Sequence, residues 1–231
     1  MSASAPAIMA EMFYDSRQSF ARLADKSPVL LPLLAVTLGT ALMYYWYFAT
    51  VDFDWLVKHT LAASPDLTAQ QREATREMLT LPMLMWSTVG MTLVLTPLLF
   101  ALFAGYYLLA AKFLGSELGY GKWFALCVWT SVPRLLVLPL MALQILTSDG
   151  QVALEDLSMV SLNTLLLQLP NSNPWAALAA GIDLTIVWSC VLAVSGLRAW
   201  TGRGFGTCVF VVLFPLFLVY GLWAAKIAAF S

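Results

Sequence analysis

Five long apolar runs, at residues 28–50, 82–112, 123–146, 175–199 and 206–229, alternate with short segments in which most of the charged residues collect. Each run is long enough to cross a hydrocarbon layer of about 30 Å, which takes about 20 residues at helical rise. The pattern predicts an all-α, polytopic integral membrane protein with five transmembrane helices. Residues 1–27 form an amphipathic arm and 28–231 the membrane domain. The second run is too long for one upright crossing. Pro82 is placed to start it and Pro97 to kink it, so a tilt or an extended end is expected.

Between the runs the spacing turns amphipathic. In the arm, Met9, Met12, Phe13, Ser16, Phe20 and Leu23 share one helical face, while Glu11, Asp15, Arg17, Gln18 and Arg22 lie elsewhere. Two readings fit equally: an interfacial helix on the membrane surface, or a helix packed on the protein's own loops. Residues 66–79 read as a solvated helix extending the second span, with Thr68 as its N-cap. The apolar piece 157–169 is too short to span and is expected at the interface. The segments "LLAAKFLGSELGYGKWFALCVWTSVP" and "LAVSGLRAWTGRGFGTCVFVVLFP" share a layout: basic residue, glycine turn, basic residue, aromatic, apolar helix, proline. A tandem pair of helical hairpins would produce this echo, and so would composition alone.

Composition agrees with the pattern and narrows it. The chain is 61% hydrophobic and 11% charged, against about 25% charged in soluble domains. A net charge of −1 argues against nucleic acid as a partner. Orientation follows from the basic residues. Arg17, Arg22, Lys26, Lys112, Lys122, Arg198 and Arg203 fall on one side, and Lys58, Arg72 and Arg76, among five acids, on the other. The first side is expected to be cytoplasmic, which puts the N-terminus inside and the C-terminus in the periplasm. Lys226, near the outer end of the last run, can snorkel. The first 27 residues lack a continuous apolar core, so no cleavable signal is expected.

Candidate chemistry is sparse. Cys127, Cys190 and Cys208 lie inside apolar runs without CxxC spacing and read as small hydrophobes. His59, the single histidine, could join Asp52 and Asp54 in a partial metal site, but a full site needs more ligands. The glycines of "LGYGKW" and "TGRGFG" belong to hairpin turns and not to phosphate cradles. No catalytic residue, cofactor or metal is expected. The intramembrane charges Arg134 and Asp183 stand out, because an isolated charge at mid-bilayer costs at least about 2.5 kcal/mol. Their depths differ by only several ångström, so an interhelical pair is expected, either a structural clamp or the lining of a polar cavity. Small residues at four-residue spacing, Ala101 with Gly105 and Ala177 with Gly181, would allow close helix approach. Trp46, Trp55 and Trp123 sit where an interfacial aromatic belt would place them, while Trp129, Trp188 and Trp200 are open to either reading.

The segments "FYDSRQSFARLADKSP", "ALCVWTSVPRLL" and "IDLTIVWSCVLAVSGL", with five spans, resemble the Yip (Ypt/Rab-interacting) membrane-protein domain in its bacterial form. Asp183, Trp188, Leu192 and Gly196 match the family's register in the fourth span, and Pro133 matches its proline in the third. For eukaryotic members the resemblance implies early secretory membranes and prenylated small GTPases. Small-GTPase binding is not supported here, because a DLYGP-type motif is absent and the family's Gly-Tyr pair reads Val128–Trp129. The expectation is a non-enzymatic scaffold or adaptor of the bacterial inner membrane. Its partners are the lipid bilayer and either another protein or a second copy of the chain. The alternative is a transporter or channel-like protein with its polar centre at Arg134 and Asp183.

Overall fold

The computed structural model describes residues 4–63 and 67–230. Its helices are α1 (Ala5–Glu11), α2 (Ser16–Arg22), α3 (Leu30–Thr50), α4 (Phe53–Ala62), α5 (Ala69–Met78), α6 (Leu81–Phe113), α7 (Tyr120–Thr130), α8 (Val137–Thr147), α9 (Ala176–Ala180), α10 (Leu184–Thr201) and α11 (Phe205–Phe230). Among the described residues, five helical stretches are long and apolar enough to cross a membrane: Leu30–Thr50, Leu81–Phe113, Tyr120–Thr147, Leu184–Thr201 and Phe205–Phe230. Their outer faces carry exposed apolar side chains such as Leu102, Val191 and Phe217. Water would penalise that surface, whereas lipid solvates it.

Three helix boundaries differ from the hydropathy pattern, each for a local reason. The third stretch is not one helix, because a 3-10 segment, Val132–Leu136, interrupts it between α7 and α8. Pro133 has no N–H to give the carbonyl one turn back. Nearby hydroxyls take up the neighbouring carbonyls: Thr130 Oγ1 donates to Cys127 O (3.2 Å) and Ser131 Oγ to Val128 O (2.7 Å). The solvated helix at 69–78 is a separate element and not an extension of α6. Leu79 is extended (ψ 108°), and Pro82 could not have bonded the Met78 carbonyl in a continuous helix. The fourth apolar helix starts at Leu184, later than residue 175. Ahead of it, Leu162 N–H donates to Ile182 O (2.7 Å) and Leu184 N–H to Val160 O (3.1 Å). These two bonds, flanking a bridge between Ser161 and Asp183, spend the backbone groups a helix would have used. The second stretch is unbroken through Pro97. Its 33 residues span about 50 Å, more than a hydrocarbon core is thick.

The chain divides into two compact units. The first comprises Met1–Leu38, Val94–Leu135 and Thr185–Leu222. Its core is built on Trp123, Trp129, Leu126, Leu197, Phe20 and Leu23, all fully buried. Trp123 is therefore a core residue and not part of an interfacial belt. Its indole N–H donates to Leu118 O (3.1 Å) and its ring meets Trp200 edge-on at 6.2 Å. The second unit comprises Gly39–Leu93, Leu136–Leu184 and Trp223–Ser231. Its core gathers Tyr47, Phe48, Leu56, Met141, Ile145, Val152 and Leu157, and Tyr47 Oη donates to Val152 O (2.9 Å).

The turn after α8 presses onto the end of α3. Gly150 accepts the Asp52 N–H (2.9 Å), and Asp52 in turn caps α4 through Trp55 N–H (3.0 Å). Gly150 has φ +76°, and a Cβ there would lie 2.9 Å from Thr50 O. Gly202 has φ +68° with open space where its Cβ would go. Both glycines would strain on becoming alanine, by about 1–2 kcal/mol for a left-handed conformation, but only Gly150 would also clash. Gly150→Ala should therefore lower the melting temperature in detergent clearly more than Gly202→Ala does. Equal shifts in a paired thermal-unfolding measurement would refute the close approach.

Candidate functional site

The arm is a polar segment that the structure holds against the core of the first unit. Its apolar face is packed on the protein itself: Met12, Phe20 and Leu23 are almost wholly buried in the first unit. Two short helices form where one was expected. Asp15 starts the second by accepting Gln18 N–H (3.0 Å). A buried carboxylate ties them together: Glu11 pairs with Arg22 Nη2 (3.3 Å) and accepts from Ser19 Oγ (3.3 Å).

The far side of this contact is a single stripe of α10. Trp188, Leu192, Gly196 and Trp200 recur every fourth residue and so share a helix face. Phe13 meets Trp188 edge-on at 5.4 Å, and Phe20 meets Trp200 edge-on at 5.7 Å. Gly196 lies between them. A Cβ at that position would come within 2.8 Å of the Phe20 ring and 2.5 Å of Leu126. The glycine is what lets Phe20 seat. Leu192 is buried in the same core.

The end of α2 is closed from outside. Lys122 Nζ donates to Leu23 O (2.6 Å), to Ala24 O and to Ser27 Oγ (2.8 Å), which uses all three of its protons. The ammonium also lies 5.2 Å from the centre of the Trp200 ring. Two indoles complete the clasp: Trp200 Nε1 donates to Phe20 O (3.0 Å) and Trp129 Nε1 to Pro28 O (3.1 Å). Trp129 and Trp200 are thus ordered by hydrogen bonds to the arm and its exit. The hairpin turns are tied similarly, Arg203 donating through its guanidinium to Leu114 O. On the outward side of the arm, Tyr14 is 79% exposed, and Arg17, Gln18, Arg22, Asp25 and Lys26 face solvent.

The remaining sequence candidates fall elsewhere. Pro133 is buried in the 3-10 segment and Arg134 beside it is exposed. Arg134 belongs to the first unit. Asp183 belongs to the second, half-buried at the bridge before α10. His59 is not grouped with Asp52 and Asp54. Its Nε2 lies 2.9 Å from Asn171 Nδ2 and 3.4 Å from Glu155 Oε1, and its ring stacks on Trp55 at 4.9 Å. Asp156, next to Glu155, is held above the usual carboxylate range, first by burial and then by the Glu155 charge, with His59 pulling the other way. No group of three or more histidine, cysteine or acidic side chains able to hold a metal occurs among the described residues. The small-residue pairs also sit differently from expectation. Gly105 has open space where a Cβ would go, Gly181 meets the carbonyls of Ala177 and Leu178 and, at 3.7 Å, the Trp223 ring of α11, and Gly39 meets Leu138 at 2.7 Å. Only the family register pointed to Gly196, and nothing in the sequence singled out Gly39 or the carbonyl-binding role of Lys122.

Residues 10–225 match the model of the Yip1 domain. No curated protein and no solved structure matches the chain. The match takes in the end of α1, all of α2 and the stripe of α10 on which they rest, as well as nearly all of the five membrane-length stretches. This multi-pass membrane protein belongs to the Yip1 domain family, whose members are generally not enzymes.

Proposed function

We propose that the protein is a non-enzymatic scaffold or adaptor of the bacterial cytoplasmic membrane, and that the solvent face of the packed arm is its docking surface. The fixed arm carries this reading. A segment so polar would stay mobile beside a membrane unless something held it. Here a glycine-made seat, a lysine on three oxygen acceptors and two indoles hold it. Ordering a surface before a partner arrives removes part of the entropy cost of binding. Among the outward residues, Tyr14, Arg17 and Arg22 are the aromatic and guanidinium types that anchor protein contacts.

Gly196→Leu should unseat Phe20 and leave the arm open to trypsin at Arg17, Arg22 and Lys26, while the wild type resists. Arg17→Glu, on the surface, should leave the arm packed and reduce recovery of a co-purifying membrane partner about tenfold, a change of about 1.4 kcal/mol. Recovery unchanged in both variants would remove the arm as a docking surface.

The distribution of basic residues favours an orientation with the arm in the cytoplasm and the turn at 148–150 outside. Introduce Tyr14→Cys or Asp149→Cys after replacing Cys127, Cys190 and Cys208 with alanine. A membrane-impermeant maleimide should then label Asp149→Cys in intact cells, and Tyr14→Cys only after lysis. The reverse pattern would invert the topology.

The pairing of Arg134 with Asp183 is part of the same proposal, supported by the cost of a lone charge at mid-bilayer. Arg134→Leu and Asp183→Leu should each destabilise the protein more than the double variant does. A double variant that folds but loses transport of some solute would favour a transporter over a scaffold.

A further inference from the structure

The hairpin of α4 and α5 joins the end of α3 to the start of α6, so it must lie outside the hydrocarbon on one side of the membrane. Two aromatic side chains mark where the surface falls. Tyr45 and Trp86, on the last turns of α3 and the first turns of α6, lie 6.3 Å apart and are exposed, as residues at the headgroup level are. Between α4 and α5 there is a half-open cleft of about 120 Å³. Its apolar floor comes from Phe53, Val57 and Leu61, spaced every fourth residue on α4. Its polar wall holds Asp54 and Lys58 of α4 and Arg76 of α5.

This wall has a definite charge pattern. Two cations from two helices converge with one carboxylate, above an apolar surface that an acyl-glycerol end can cover. A simple anion would meet Asp54 with repulsion. A quaternary ammonium could not donate a hydrogen bond to it. A phosphate ester carrying a primary ammonium answers every group: phosphate oxygens to Lys58 and Arg76, and N–H donors to Asp54.

We propose that the cleft between α4 and α5 binds the phosphoethanolamine headgroup of a membrane phospholipid, with the phosphate held by Lys58 and Arg76 and the ammonium by Asp54. On this proposal the ligand arrives by lateral diffusion and not from solution. Held there, the lipid would brace the hairpin against the ends of α3 and α6.

The test uses the full chain, delipidated in detergent, with mixed micelles of phosphatidylethanolamine or phosphatidylglycerol, or with soluble phosphoethanolamine. Phosphatidylethanolamine should raise the melting temperature saturably, and native mass spectrometry should show one lipid retained preferentially over phosphatidylglycerol. Soluble phosphoethanolamine should produce no shift at the same concentration. Lys58→Ala with Arg76→Ala should abolish the shift, and Asp54→Asn should erase the preference between the two lipids while still binding both. All three side chains are exposed, so the variants should fold; an unchanged apo melting temperature checks this. Equal stabilisation by both lipids in the wild type would overturn the proposal. So would a full shift with soluble phosphoethanolamine, or one that survives Lys58→Ala with Arg76→Ala.

Discussion

A carbonyl at the end of a helix has no partner within its own helix, and beside a bilayer little water is available to replace one. Much of this structure is organised around that shortage. Lys122 covers Leu23 and Ala24, Arg203 covers Leu114 and Trp200 covers Phe20, while Trp129 and Tyr47 do the same for the loop carbonyls of Pro28 and Val152. Each donor is a basic or aromatic side chain whose stem or ring is itself apolar, so it can reach a carbonyl without exposing much polar surface to lipid. The arm is held because its carbonyls are among those that needed donors. Packing and hydrogen bonding therefore fix the same segment, and removal of either leaves the other incomplete.

The same shortage explains which parts of the fold could be read from the residues in order. Length and apolarity alone give five membrane-length helices, since no other arrangement satisfies that many consecutive backbone groups in oil. The break at Pro133 is a local matter of a missing N–H, visible once the flanking Thr130 and Ser131 are seen as replacement donors. The late start of α10 was not legible, because it depends on bonds from residues 160–162, far off in sequence. The burial of Trp123 was hidden for a similar reason. An indole near a span end looks the same whether its N–H faces headgroups or Leu118 O.

Lys122 shows how one residue can satisfy two readings. As a positive charge next to a span it is one of the residues from which sidedness is expected. As three N–H donors it closes α2. Composition reports only the first role, because the second needs the arm folded back to within 3 Å. His59 carries the opposite lesson. Proximity in sequence offered Asp52 and Asp54, but helical geometry turned Asp52 to the α4 cap and brought Asn171 and Glu155 to the ring.

The stripe Trp188–Leu192–Gly196–Trp200 ties α10 to the arm more closely than crossing a membrane requires. Three of these four have a contact to make: Trp188 with Phe13, Leu192 in the core, Gly196 beneath Phe20. A span that served only to cross the bilayer would need no glycine at 196, since any apolar side chain would be solvated by lipid. What requires the glycine is close packing by two neighbours, Leu126 of α7 and the Phe20 ring of the arm. The fourth helix is therefore shaped on one face as a receptor for the arm, and the physical unit of this domain is the arm and helix together.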